Sequence, residues 1–176
     1  MQLRNGLAVA ALSCCIAGAL AFADTKTDYN HHTDFTRYHT YSWIKVQTDD
    51  PLWVDRITSA VNSQLSAKGW TQQQSGGDVS IAAYGSMHEE RTVQTWYDGF
   101  GGGWRWRGFG DGMATTTVEK TPVGALTIDM FDSSTKQLVW RGSATDTLSD
   151  KPEKNEKKLD KSVEDMFKKF PPESKG

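Results

Sequence analysis

The chain has 176 residues, 37% of them hydrophobic, and a formal net charge of −2 from 20 Lys and Arg against 22 Asp and Glu. So even a balance provides no broad positive field for nucleic acid or anionic lipid. Both cysteines, Cys14 and Cys15, stand near the start. The rest of the chain therefore excludes a disulfide framework, a thiolate zinc site and a cysteine nucleophile.

Met1 to Arg4 is a short positive start, and Leu7 to Leu20 is a run of apolar and small residues too short to span a bilayer. Ala21-Phe22-Ala23 then sets small residues at both positions that signal peptidase reads, ahead of polar Asp24. This pattern predicts a signal peptide over residues 1–23, cleavage at Ala23-Asp24, and a periplasmic or secreted product. The alternative is an outer-membrane lipoprotein anchored through Cys14 or Cys15. Against it, Ser13 or Cys14 occupies the place where a lipobox has Gly or Ala, and apolar Ile16 to Ala23 would replace the usual polar tether. Residues 24–172 are expected to form one domain, large enough to bury a core without disulfide or metal, with 173–176 as a tail. No transmembrane segment is expected in the mature chain, since no later stretch reaches roughly 18 apolar residues.

Asp34 to Ile44 is rich in aromatic and β-branched residues and predicts a strand. Asp50-Pro51 then opens a helix with Val54, Ile57, Val61 and Leu65 as one apolar stripe and Gly69 as its stop. Val79, Ile81 and Ala83 alternate as in a half-buried strand, with pairing continued through Arg91 to Trp96. Thr115 to Lys120 returns, and Val123 to Phe131 with Leu138 to Thr147 forms a hairpin across Ser133 to Lys136. Leu159, Val163, Met166, Phe167 and Phe170 mark a second helix, closed by Pro171-Pro172, with Asp150 and Glu153 as a capping box. Strands joined by turns pair antiparallel, and two helices with one apolar stripe each must share a sheet face. The expected fold is α+β: a two-layer sandwich, a mainly antiparallel β-sheet with two helices on one face. Ile57, Val61, Leu65, Val163 and Phe167 should be buried there against Ile81, Ile128 and Met130.

Asp34-Phe-Thr-Arg-Tyr-His-Thr-Tyr-Ser-Trp43 resembles the "DFs-x-YkTYaW" opening of the domain of unknown function 4136 family, bacterial envelope proteins that are often lipoproteins. Asp50 to Ile57 with Lys68-Gly69-Trp70 is similar to that family's first helix and its "KGY" exit. Gly124 to Asp132 and Leu138 to Gly142 resemble its "GtLvIDlvD…LVWRG" hairpin, and Met166 to Pro172 its C-terminal ending. The resemblance spans residues 28–172 and implies an exported α+β envelope protein. It carries over no catalytic residue.

The strongest candidate for function is the Gly-, Trp- and Arg-rich stretch over Trp96, Tyr97, Phe100, Trp104, Arg105, Trp106, Arg107 and Phe109. Long structureless insertions are usually functional or disordered. Indole faces can stack on sugars, and the two arginines can reach carboxylates or phosphates. The stretch lacks the Gly-Lys-Ser/Thr ending of a phosphate loop and the glycine spacing of a dinucleotide fingerprint, so no cofactor is expected. Asp129 and Arg141 fall opposite one another if Ser133 pairs with Gln137, which predicts a cross-strand structural ion pair. His31, His32 and His39 with Asp28 and Asp34 read as surface groups and not as a metal site, because adjacent residues of an extended chain point to opposite faces. His88-Glu89-Glu90-Arg91 reads as a polar strand edge. The expected function is that of a non-enzymatic envelope module acting by binding or assembly, with peptidoglycan, a glycan or another envelope protein as partner and no nucleic acid. The alternatives are an envelope hydrolase using carboxylates, and a structural lipoprotein-like subunit.

Overall fold

A computed structural model describes residues 23–97 and 114–172. It contains strands β1 (Asp24–Tyr29), β2 (Thr40–Gln47), β3 (Thr71–Gln72), β4 (Val79–Tyr97), β5 (Ala114–Asp132) and β6 (Leu138–Thr147). Helix α1 (Trp53–Ala67) follows β2, and α2 (Pro152–Phe167) follows β6. The six strands make one sheet in the order β1-β6-β5-β4-β2-β3. Both helices contribute to a single core against one face of it, where Ile57, Val61, Leu65, Val163 and Phe167 meet Ile81, Ile128 and Met130. All eight of these side chains are buried. The fold is the expected α+β sandwich.

The sheet is mixed. β1, β6, β5 and β4 pair antiparallel, but β2 runs parallel to both β4 and β3. Parallel neighbours need a crossover, and α1 supplies it. The hairpin register places Asp129 opposite Arg141, Met130 opposite Trp140 and Ile128 opposite Gly142.

Local chemistry shifts several expected boundaries. Asp34 to Ile44 is not one strand: the Asp34 carboxylate accepts the Thr36 N–H at 3.0 Å and its hydroxyl at 2.6 Å, which folds Phe35–Arg37 into a 3₁₀ turn before β2 starts. β1 was unexpected. Its pattern is polar throughout, and it gains its place by pairing with β6 from Asp24↔Thr145 to Tyr29↔Trp140. β5 is continuous where two runs, Thr115 to Lys120 and Val123 to Phe131, were expected. The Pro122 carbonyl accepts the Leu148 N–H at 2.7 Å, so its missing N–H also faces away from β4 and leaves the β4–β5 ladder intact. The capping box of Asp150 and Glu153 does not form at α2. Asn155 instead ties the helix start to the incoming chain: its Oδ1 accepts the Ser149 N–H and its Nδ2 donates to the Ser149 carbonyl, both at 2.7 Å.

Past α2 the chain folds Phe170 into an aromatic cluster with Phe35, Trp70, Trp140 and Phe167, with ring centroids 5.0–5.9 Å apart. Such edge-to-face contacts add about 0.5–1.5 kcal/mol each beyond burial. They tie the C-terminal segment to the turn before β2.

Candidate functional site

β4 and β5 are 19 residues each, much longer than their neighbours. β2 leaves β4 at Gln47↔Tyr84, and β6 leaves β5 at Val123↔Thr147. From Glu89↔Pro122 to Tyr97↔Ala114 the two strands therefore form a ladder only with each other, the Pro122 carbonyl alone also accepting the Leu148 N–H. At about 3.3 Å per residue this two-stranded arm is roughly 26 Å long. Residues 88–93 and 116–120 are exposed on both of its faces. Val93 and Val118 form an exposed cross-strand pair, and Glu89 bridges Lys120 at 3.3 Å. The His88-Glu89-Glu90-Arg91 run is thus part of the arm.

The aromatic candidates follow from this geometry. Trp96 and Tyr97 occupy the last rungs of the arm, opposite Thr115 and Ala114. Phe100, Trp104, Arg105, Trp106, Arg107 and Phe109 lie outside the described residues. The segment that carries them leaves from Tyr97 and re-enters at Ala114, so both its ends are fixed at the far end of the arm.

At the base of the arm lies a cleft of about 90 Å³ between the sheet and the two helices. Trp53 and Ile57 of α1 and Leu159 of α2 form its walls, with Met87, Leu126 and Leu148 closing the apolar lining. Gly85 and Gly124 line it as well, from adjacent strands. Sequence reading missed this cleft, because its residues come from six separate segments. The glycines within the strand pattern were the available signal, since an isolated strand glycine marks a bulge or a close approach.

Several charged groups of the scaffold are committed to structural bonds. Arg141 Nε and Nη2 donate to the two Asp129 oxygens at 2.5 and 2.7 Å, with the carboxylate buried and the guanidinium half exposed. Asp132 accepts from Arg37 Nη2 and the Tyr38 hydroxyl on one oxygen, and from the Ser134 hydroxyl and the Ser134 and Thr135 N–H groups on the other. The Ser134 hydroxyl and the Thr135 N–H foremost hold the Asp132 carboxyl well below the usual range. Burial, then the hydrogen bond to Asp132, pushes the Tyr38 phenol up to about 12. Asp78 accepts the His39 and Thr40 N–H groups and the Thr40 hydroxyl, and the His39 N–H leads in lowering its pKa.

The histidines are dispersed. The His31 ring packs edge-on against Tyr29 with centroids 4.4 Å apart, the His32 N–H donates to Asn30, and His39 meets Asp78 through its backbone. Among the described residues no three His, Asp or Glu side chains converge as metal ligands. No helix of the described residues is long and apolar enough to cross a membrane.

The fold recurs in a PDZ domain protein from Parabacteroides distasonis, at a TM-score of 0.55 and 15% identity. The match covers 88% of this chain but spans only 36% of that protein's length. A PelC dodecamer from Paraburkholderia phytofirmans matches at a TM-score of 0.46 and 15% identity, over 83% of this chain and 97% of the other. A minor lipoprotein from Acinetobacter baumannii matches at 0.34 and 11% identity, over 75% and 91%. No curated protein matches the chain. Residues 25–172 match the family described as domain of unknown function DUF4136.

Proposed function

The chain belongs to the DUF4136 family, and from that premise we propose that it is an exported, non-enzymatic module of the bacterial cell envelope that works by binding or assembly. The observation that carries this reading is the arm. Nine rungs of β4–β5 extend past the sheet and hold both ends of the Gly-, Trp- and Arg-rich segment at their far end. A bare two-stranded ribbon is marginal in water, so its retention is a cost that a presenting role explains. Trp104 and Trp106 supply stacking faces for sugar rings, and Arg105 and Arg107 supply donors for carboxylates or phosphates. Peptidoglycan or another envelope glycan is the partner of matching chemistry.

The non-enzymatic reading has separate support. A carboxyl acting as a general acid near neutral pH needs its pKa raised. Asp34, Asp78 and Asp132, the described carboxylates with displaced ionisation, are all displaced downward by hydrogen bonds. Export rests on the signal-like residues 1–23 and cleavage at Ala23-Asp24, which would leave β1 as the first element of the mature protein. The second reading, a structural subunit, draws on the same arm through its free backbone edges. Co-sedimentation with purified peptidoglycan tests the first reading. The intact protein should pellet with it, and Trp104→Ala with Trp106→Ala should stay in the supernatant while melting at the same temperature. Equal pelleting of both would favour the subunit reading.

A further inference from the structure

The cleft at the base of the arm has a chemistry distinct from that of the aromatic segment. Its lining is apolar, from Trp53, Ile57, Met87, Leu126, Leu148 and Leu159. Its polar rim is largely committed. Lys158 Nζ donates to Asp146 Oδ1 at 3.0 Å and to the Thr147 carbonyl at 2.6 Å. Asn155 is bonded in both directions to Ser149, and the Thr48 hydroxyl donates to the Asp50 carbonyl at 2.6 Å. Asp49 Oδ2 accepts the Met87 N–H at 2.9 Å. That last bond bears on the kind of occupant. The Met87 N–H is the β4 group at the cleft that an added peptide strand would use to continue the sheet, and Asp49 already holds it. A peptide would lose that donor to Asp49, whereas a hydrocarbon needs no ladder position.

A Cβ on Gly85 would lie 3.4 Å from Ile57 Cδ1 and 3.5 Å from Thr48 Cβ, and one on Gly124 would lie 2.9 Å from Leu148 Cδ2, so both glycines sit beneath other lining side chains. A side chain longer than alanine at Gly85 projects into the cleft. An apolar lining whose polar rim is already bonded offers an occupant hydrophobic area and few polar partners, which suits a hydrocarbon. We propose that the cleft binds one unbranched aliphatic chain of the kind a lipid carries, inserted tail first with its polar head left in water.

The test is titration of the purified protein with the straight-chain alcohols from 1-butanol to 1-decanol, followed by amide and methyl NMR shifts. Shifts should map to Gly85, Gly124, Leu126 and Leu159 and spare Asp129 and Arg141 on the opposite sheet face. Affinity should rise about fourfold for each added methylene that enters, then level off when the chain outgrows the cleft. Gly85→Leu should weaken 1-octanol at least tenfold. Leu159→Gln, on a partly exposed helix position, should do the same if Gly85→Leu fails to fold. A flat dependence on chain length, shifts centred on the opposite face, or unchanged affinity in a folded variant would each overturn the proposal. Tighter binding of acetyl-trileucine amide than of 1-octanol would overturn it in favour of a peptide site.

Discussion

The Trp140 indole lies across Gly142, two residues along the same strand. A Cβ built on Gly142 would fall 2.5 Å from the ring and 2.9 Å from Met166 Sδ. The opposite face of the same strand carries Arg141 on Asp129. One short run of β6 therefore locks α2 to the inner face and an ion pair to the outer one.

Gly142→Ala should accordingly destabilise the fold by about 1–3 kcal/mol, the usual cost of overpacking. Trp140→Ala should cost more, about 3–5 kcal/mol, because it empties the aromatic cluster around Phe167 and Phe170. Denaturant unfolding followed by far-UV circular dichroism measures both. A neutral Gly142→Ala would show that the ring moves aside freely.

Arg141→Ala leaves the Asp129 carboxylate, 5% exposed, without its partner. The expected loss is about 1.5–3 kcal/mol, the range for hydrogen bonds to charged groups, and the half-exposed guanidinium places it toward the lower end. Arg141→Lys should recover part of it, since lysine restores the charge but not the paired donors. Unfolding midpoints of the two variants, compared at low and high salt, check the order.

Stability should fall at both ends of the pH scale. Asp132 and Asp78 have folded pKa values below the unfolded value of about 3.9, so their contribution is complete above about pH 4 and is lost as pH falls through the folded values. Tyr38 has the opposite sign. Its folded pKa, about 12, lies above the unfolded value of about 10, so its contribution is complete below pH 10 and is lost between 10 and 12. Tyr38→Phe should shrink the alkaline loss, and Asp132→Asn should flatten the acid limb while lowering stability at pH 7. Urea midpoints from pH 2 to 12 read both limbs.

Export predicts a mature protein that begins at Asp24. N-terminal sequencing and intact mass of material from the envelope fraction check this. An acylated start at Cys14 or Cys15 would make the protein a lipoprotein instead.

The sequence made the scaffold legible where a period or a pair could be counted. The stripe Ile57, Val61 and Leu65, the alternation Val79, Ile81 and Ala83, and the opposition of Asp129 to Arg141 all locate the core and the hairpin register. The residues that carry the family resemblance are largely this core: Tyr41, Trp70, Met130, Trp140 and Phe167 are all buried. β1 escaped because its polar pattern takes its strand form from β6, and the parallel β2–β4 pairing escaped because no local signal states which strands become neighbours. The cleft escaped for the same reason: Gly85, Gly124, Trp53 and Leu159 are far apart in the chain and meet only in the fold. The length of the arm was half visible, since the pairing was expected to reach Trp96 and return over Thr115 to Lys120, but as a strand separate from Val123 to Phe131.

The proposed role of the scaffold is to present the arm and its aromatic segment to an envelope partner. His88 and Val123 are opposed in the ladder, so residues 89–122 can be replaced by Asn-Gly, a two-residue turn that closes a hairpin at that rung. Binding of the intact and shortened proteins to purified peptidoglycan and to an envelope extract is the most direct measurement, run with thermal unfolding of both. A presenting arm requires unfolding temperatures within a few degrees of each other and loss of envelope binding in the shortened protein. Full binding by the shortened protein would contradict it and place the working surface on the sandwich itself.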